Sequence, residues 1–393
     1  MQLTDIQYKG LLTIKNKFLS GARRAVISGY AGSGKTTLVK FIIEELPGID
    51  PAIDVCYAAY TGKACQVLKD KGNPNVSTLH RLLFESIPKA DGTFYSRRKE
   101  AIGYKVVVID EASMVPEHFV QTLEEYPVFA IWIGDPFQLP PVDKDSANDL
   151  LNHPDVVLTQ IMRQESESDI IRLSMDIREG RPLEFSKGND AIVLPKSELN
   201  TGMLQWADII LCGTNKTRIA LNNQMRDLLG HHGNVAEGEK LIALRNYWDD
   251  LATNDDPLIN GTIGYASNIF ESFIRYPKYL HDGPDVQVIM ADFKSEVGGD
   301  YGQLAMDKHN ILTGEYSLNP KEKFKIGKNP RYGSSLPKEF TYGYAVTTWK
   351  AQGSEWDKVL VIEEKFPYDR IEHQKFIYTS ITRASKKLVF IKA

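Results

Sequence analysis

Residues 29–36 read GYAGSGKT, a complete G-x-x-x-x-G-K-[ST] loop. Before it lies the short β-branched run RAVISG (24–29), and after it KTTLVKFIIEEL (35–46), which has the apolar spacing of a helix. A strand in front and a helix behind separate a phosphate-binding loop from an ordinary glycine-rich turn. Backbone amides of such a loop and of the helix N-terminus surround phosphate oxygens, which assigns Gly29, Ala31, Gly32, Ser33, Gly34, Lys35, Thr36 and Thr37 to a nucleotide. In this chemistry Lys35 reaches the β and γ oxygens and Thr36 ligates Mg2+.

Outward from the loop, short apolar runs alternate with helical stretches: AIDVCYAAY (52–60), GKACQVLKD (62–70), YKVVVIDEAS (104–113) and VFAIWIGD (128–135). Strands of nearly continuous hydrophobicity alternating with helices predict a parallel sheet covered on both faces, hence an α/β fold. A second set follows in ADIILCGTN (207–215), the helical TRIALNNQMRDLL (217–229), FTYGYAVTTW (340–349), DKVLVIEE (357–364) and KKLVFIKA (386–393). Between about 236 and 337 it is interrupted by turn-rich runs, GEKLIALRN, NGTIGYASNI and DVQVIMADF, and by a polar stretch, KEKFKIGKNPRYGSS. This segment is expected to be a small β-barrel with a mobile polar flank.

The run YKVVVID ends on Asp110 and Glu111, two carboxylates at the C-terminal edge of a parallel sheet, where α/β ligands bind. Asp110 is expected to hold Mg2+ through water, and Glu111 to orient or deprotonate an attacking water. A phosphotransferase has no use for a water-activating glutamate, so the pair favours hydrolysis of ATP.

Composition sets outer limits. The 393 residues exceed one compact core, and 42% hydrophobic with 25% charged residues is ordinary for a soluble protein. No run approaches the roughly 18 apolar residues of a membrane span, and MQLTDIQYKG lacks an export pattern, so no membrane contact and a cytoplasmic location are expected. Cys56, Cys65 and Cys212 are read as reduced and structural. A net charge of −4 argues against coating nucleic acid by bulk electrostatics while leaving room for a local groove.

GDPFQLPPV (134–142) resembles motif III of superfamily 1 helicases, and the other signatures follow in that family's order. AYTGKACQVL (59–68) is similar to motif Ia, STLHRLL (77–83) to Ib, LTQIMRQ (158–164) to IV, TTWKAQGSEWDKV (347–359) to V and YTSITRA (378–384) to VI. The combination most resembles class B, the RecD and Dda branch, whose members move 5′ to 3′ on DNA. The resemblance implies two RecA-like domains: one of 1–83 and 105–155, bearing the ATP site and a hairpin insertion at 84–104, and one of 156–235 and 338–393. An SH3-like barrel at 236–337 would interrupt the second.

By the same resemblance, Gln7 in LTDIQ reads adenine, Gln138 senses the γ-phosphate, and Arg163 and Arg383 approach ATP from the second domain, with Gly353 and Glu355 of motif V beside the nucleotide. An arginine at the transferring phosphoryl group is worth about 10³ to 10⁵ in rate where it has been isolated. Thr61, Lys63, Ser77, Thr78 and His80 would hold single-stranded DNA on the first domain, and Thr347, Thr348 and Lys350 on the second. Tyr60 and Trp349 replace the family's usual proline and histidine, and as aromatics either stack on a base or pack in the protein. Within FESIPKADGTFYSRRKEAIGY (84–104), Asp91 and Gly92 predict a hairpin turn, and Phe94 or Tyr95 is the candidate to meet the first base at a fork, with Arg97 and Arg98 on phosphates.

The partners implied are single-stranded and forked DNA, with replication or recombination proteins, acted on by a monomer. Two other readings stay open, a P-loop enzyme acting on a small molecule and an ATPase that displaces proteins without parting strands, while the compact size argues against a 3′ to 5′ helicase of the UvrD type.

Overall fold

The computed structural model describes residues 3–48, 50, 52–88, 94–141, 147–160, 168–253 and 257–393. Arg163, Val142 and the Asp91–Gly92 turn lie outside the described residues, as do the side chains of Phe94 and Tyr95. The chain divides into two compact units, the first made of Met1–Phe84, Arg98–Thr214 and Thr347–Ala393, the second of Glu85–Arg97 and Asn215–Val346. The parallel strands of both sheets fall in the first unit, and the segment 85–97 is grouped with the second.

In chain order the first unit begins with α1 (Asp5–Leu19), β1 (Arg24–Gly29), α2 (Lys35–Glu45), β2 (Val55–Ala59), α3 (Gly62–Asp70), β3 (Val76–Thr78) and α4 (Leu79–Leu83). After β4 (Phe84–Pro88) and β5 (Phe94–Arg98), which pair only with each other among the described residues, come β6 (Val106–Asp110), α5 (Glu117–Glu124), β7 (Phe129–Gly134) and β8 (Val156–Leu158). The first sheet has the order β3-β2-β6-β7-β1-β8, parallel throughout. Alternate strand residues feed two separate cores. Ala25, Ile27, Val106, Val108 and Ile131 meet α1, α2 and α3 on one face, while Val26, Cys56, Val107, Ile109 and Trp132 meet α4 and α5 on the other. This period of two with both faces buried explains why the strands read as unbroken apolar runs.

A second sheet is built from β9 (Ser186–Lys187), β10 (Ala191–Pro195), β11 (Ile209–Cys212), β19 (Ala345–Thr347), β20 (Trp356–Ile362) and β21 (Ala384–Lys392), in the order β19-β11-β20-β21-β10-β9. Its interior strands β11, β20, β21 and β10 run parallel. Helices α6 (Asp169–Arg178), α7 (Thr201–Trp206), α11 (Thr348–Ala351) and α12 (Arg370–Ile381) accompany it. Two P-loop-type sheets of this kind are the expected pair of RecA-like α/β folds.

The second unit contains α8 (Asn215–Leu228), then β12 (Lys240–Ala243), β13 (Tyr247–Leu251), β14 (Pro257–Leu258), β15 (Ile263–Ile274), β16 (Val286–Ser295), β17 (Asp300–Asp307), α9 (Lys308–Thr313), α10 (Pro320–Gly327) and β18 (Phe340–Tyr342). Five strands form an antiparallel sheet in the order β17-β16-β15-β12-β18 around Leu241, Ala266, Ile289, Phe293, Met306 and Phe340. Its two edges meet where the Asp307 N–H donates to Lys338 O (2.8 Å) and the Lys338 N–H donates to Ala305 O (2.7 Å). The polar stretch expected as a mobile flank contains a helix instead. Asn319 and Glu322 form a reciprocal capping box at the start of α10, with Pro320 at its first position, so three local signals in NPKE nucleate a helix that the low hydrophobicity had hidden.

His281 ties that helix to the sheet: Nδ1 meets the Glu322 carboxylate at 2.8 Å and Nε2 donates to Pro284 O at 2.9 Å. Burial pulls the His281 pKa down, but Glu322, the Pro284 carbonyl and Asp282 together raise it above the usual 6.5. For Glu322, burial pushes upward, and the Asn319 N–H, His281 and Lys325 hold it below 4.5. The histidine contribution to stability is therefore complete below its unfolded value and lost as pH rises through the raised value. The glutamate contribution is present above its unfolded value and lost as pH falls through the lowered one. Urea midpoints measured against pH should fall on both sides of a maximum in the mildly acidic range, and His281→Gln should flatten the alkaline side; an unchanged profile in the variant would refute the linkage.

Candidate nucleotide cleft and strand-binding motifs

The loop after β1 turns on Gly32 (φ 72°) and Gly34 (φ 75°), a left-handed conformation that a Cβ would strain. Gly34 caps α2, so the amides of Lys35 and Thr36 are free of an intrahelical partner and lie in a cleft of about 340 Å3. The ammonium of Lys35 donates to Gly29 O (3.0 Å) and Tyr30 O (2.8 Å) of its own loop. Gln7, buried in α1, completes a capping box with Thr4 and donates from Nε2 to Gly34 O at 3.3 Å, so the glutamine is fastened to the loop.

Tyr30, Ala31, Gly32, Ser33, Gly34, Lys35, Thr36 and Thr37 line one side of the cleft. Asp110, Glu111, Gly134, Asp135 and Gln138 line another, from the C-terminal ends of β6 and β7. Glu355, Thr382 and Arg383 come from the elements of the second sheet, and Lys71 joins them from the end of α3. Gly353 is placed elsewhere: its positive φ of 73° brings it against Ala64 and Thr61 of motif Ia, at 3.3 and 3.6 Å from an added Cβ.

Glu111 leaves β6 with φ 54°, an outlier for a residue with a side chain, costing about 1–3 kcal/mol. Its N–H donates to the Asp110 carboxylate at 2.9 Å, which holds the bend. Burial first, then the Asp110 charge, push the Glu111 carboxyl up to about 7, against the pull of Arg383 and Lys35. A carboxyl balanced in this way suits proton exchange with water near neutrality. The donors on this side are all oxygens, the Thr36 hydroxyl and the Asp110 carboxylate. Among the described residues no three His, Cys, Asp or Glu side chains converge as a metal-holding group, so an ion here would draw on phosphate oxygens and water to fill its shell, as Mg2+ does.

Arg383 is 4% exposed and is aimed by its own surroundings: Nε donates to Thr379 O (3.1 Å), and the guanidinium donates to Ser354 O (3.1 Å) and Thr382 Oγ1 (3.2 Å). Gln138 is 7% exposed and its Oε1 has no hydrogen-bond partner among the described residues.

Residues to which the sequence reading gave no role connect these groups. The Tyr378 hydroxyl accepts from the Ala31 N–H (3.2 Å) and donates to the Asp135 carboxylate (2.5 Å). The Leu139 N–H donates to Thr379 Oγ1 (3.0 Å), Gln352 Nε2 to Leu139 O (2.7 Å), and Lys375 Nζ to Pro136 O (2.9 Å). Motif III is thereby stitched to motifs V and VI on both sides of Gln138. Arg178 lies over the Tyr30 ring at the loop. Asp135 stood in the quoted GDPFQ and Tyr378 opens YTSITRA, so the position of each was visible although its contact was not.

The strand-binding candidates divide by burial. Thr61 caps α3 by accepting from the Ala64 N–H (3.2 Å), and Thr78 caps α4 by accepting from the Arg81 N–H (3.2 Å). The Ser77 hydroxyl donates to Thr78 O (3.2 Å), and His80 packs by Phe84 and Phe119. Lys63 Nζ lies 4.5 Å above the Trp356 ring. Tyr60 is 37% exposed and meets Phe119 edge to face. Thr347 is the N-cap residue before α11 and Lys350 is half-buried near its end, but Thr348 is fully buried, its hydroxyl 2.8 Å from that of Ser380. Trp349 packs between Phe366 and Phe376. Phe94 lies in β5.

Comparison with known proteins places this geometry. An AAA domain family matches residues 11–193, and a UvrD-like helicase C-terminal domain family matches 342–391. The chain is 27% identical over 375 residues to the ATP-dependent RecD2 DNA helicase of Deinococcus radiodurans, covering 93% of this chain and 46% of that protein. It is 28% identical over 192 residues to the ATP-dependent DNA helicase dda of Enterobacteria phage T4, covering 46% of this chain and 43% of that one. In these matches the chain is similar to ATP-dependent DNA helicases of the RecD, Dda and Pif1 kind. It spans less than half the length of the curated relatives it matches. Among solved structures, Pif1 helicase from Bacteroides in complex with ADP-AlF3 and single-stranded DNA shares the fold with a TM-score of 0.56 at 18% identity, over 99% of this chain and 92% of that one.

The Tyr378 bridge generates a direct test. Tyr378→Phe removes the donor to a carboxylate that is 1% exposed, and it should destabilise the protein by about 1–3 kcal/mol in urea unfolding. It should also weaken binding of a fluorescent ADP analogue. Unchanged values of both would show that the bridge does not hold the loop.

Proposed function

We propose that this chain is an ATP-dependent DNA helicase that translocates along single-stranded DNA in the 5′ to 3′ direction. The observation that carries the reading is one cleft into which Lys35, Glu111, Gln138 and Arg383 all converge, with motif VI supplying the arginine from the second sheet. The small-molecule alternative leaves the Leu139, Thr379 and Gln352 stitching without a use. That stitching gives hydrolysis a means to alter the strand-binding motifs on both RecA-like sheets.

In this proposal the loop amides and Lys35 bind the triphosphate, and Gln7 reads the adenine. Glu111 accepts a proton from the attacking water, and Gln138, whose Oε1 has no hydrogen-bond partner among the described residues, senses the γ-phosphate. Arg383 neutralises charge on the transferring phosphoryl oxygens, with Arg163 as its counterpart from motif IV. Mg2+, held by Thr36 and through water by Asp110, would supply charge neutralisation between the phosphates. Tyr60, Thr61, Lys63, Ser77, Thr78, His80, Thr347 and Lys350 hold the strand. Thr348 contributes by positioning α11 through Ser380, and Trp349 by packing. The domain division proposed is 1–83 with 105–155, 84–104, 156–235 with 338–393, and 236–337, the segment 84–104 acting at the fork through Phe94 or Tyr95. Among the described residues no helix is long and apolar enough to cross a membrane. We place the protein in the cytoplasm, working as a monomer with replication or recombination proteins.

Unwinding should be seen on duplexes with a 5′ tail and should require ATP; activity from a 3′ tail alone would refute the direction. Glu111→Gln should keep nucleotide binding and lose turnover by at least about 10²-fold, and normal hydrolysis would remove its assigned role. Arg383→Lys, chosen because it retains a buried cation, should lower DNA-stimulated hydrolysis by about 10³-fold or more while DNA affinity stays near normal, whereas equal loss of both would point to the fold.

A further inference from the structure

The stretch Tyr316–Lys338 carries six cationic side chains, Lys321, Lys323, Lys325, Lys328, Arg331 and Lys338, against the single acid Glu322, in a chain of net charge −4. Helix α10 sorts them. Ile326 is fully buried, Glu322 is turned to His281, and Lys323 is paired with Glu339 at 2.7 Å. Lys321, Phe324, Lys325 and Lys328 stand at i, i+3, i+4 and i+7, which is one stripe of a helix. Phe324 lies on this outer stripe with half its surface exposed, and Lys328 Nζ stands 3.4 Å above its ring.

The stripe continues off the helix. The Asn329 amide reaches the Tyr279 hydroxyl (3.4 Å), which sets Tyr279 and its neighbour Lys278 beside the end of α10, and Arg331 follows with its guanidinium by the Tyr332 ring. Tyr279 is 66% exposed. Lys278, Lys321, Lys325 and Arg331 are in no ion pair among the described residues. Cations alone would suit any polyanion, but Phe324 leaves half of its surface open among them while the inner face of the helix holds Ile326. Alternating cations and open rings match a single strand, whose phosphates need positive charge and whose unstacked bases offer π-faces.

We propose that the α10 stripe with Tyr279 is a second binding surface for single-stranded DNA, separate from the motif Ia, Ib and V residues. It deepens the helicase reading and rests on it. The surface holds a strand without reading sequence, since rings and ammonium groups discriminate little between bases.

The test uses the full chain and fluorescence anisotropy on an oligothymidylate of about twenty nucleotides and on a blunt duplex of equal length, over a range of salt. Substituting Lys321, Lys325 and Arg331 together by Gln should reduce the slope of log affinity against log salt by about 2, from roughly 0.7 per cation on a single strand. Phe324→Ala with Tyr279→Ala should weaken oligothymidylate binding about five- to hundredfold and leave the duplex unaffected. ATPase activity without DNA should equal that of the parent in every variant. Unchanged slope and affinity would overturn the proposal, and so would equal losses on strand and duplex, which would assign the stripe to duplex phosphates. A parent protein whose ATPase does not respond to oligothymidylate would instead overturn the helicase reading itself.

Discussion

One hydroxyl group holds the nucleotide cleft in register. Tyr378 satisfies the Ala31 N–H of the phosphate loop and the buried Asp135 carboxylate at once, from a helix that belongs with the other sheet. Neither group has an easy substitute, since an unpaired amide or carboxylate at this depth costs free energy that water cannot return. The phosphate loop, motif III and motif VI therefore share one hydrogen-bond system. Any ligand that draws on one of them acts on the other two.

The same economy explains how the cleft collects charge. Glu111 and Asp110 stand beside Asp135, and this concentration of acids is tolerated because Lys35 and Arg383 face it. The bent backbone at Glu111 turns its carboxyl into the cleft, where burial and its neighbours push it up to about 7. A straighter strand end would have delivered an ordinary surface carboxylate.

Much of this was readable beforehand, for physical reasons that differ by element. The strands of the first sheet announced themselves because both faces are buried, and the loop did because only glycine adopts its turns without strain. Helix α10 is hidden in the sequence because its signal lies in capping residues rather than in apolar spacing. Thr348 matches a strand-binding motif, yet its burial against Ser380 comes from packing between elements that no local pattern encodes. The Tyr378 bridge joins groups 347 residues apart, and a contact of that separation leaves no trace in either neighbourhood. Gly353 carried a motif position but not its direction, which depends on α3.

Helix α12 is buried without interruption from Phe376 to Ile381. Most helices at a domain surface keep a wet side and can roll on it by small amounts, absorbing a local push. This one has no such freedom over its last turns, and its packed neighbours on every side are close to incompressible. A displacement at the C-terminal end of this helix is carried along it as by a rigid rod, so the element that leads to Arg383 at the cleft has the stiffness of a lever arm.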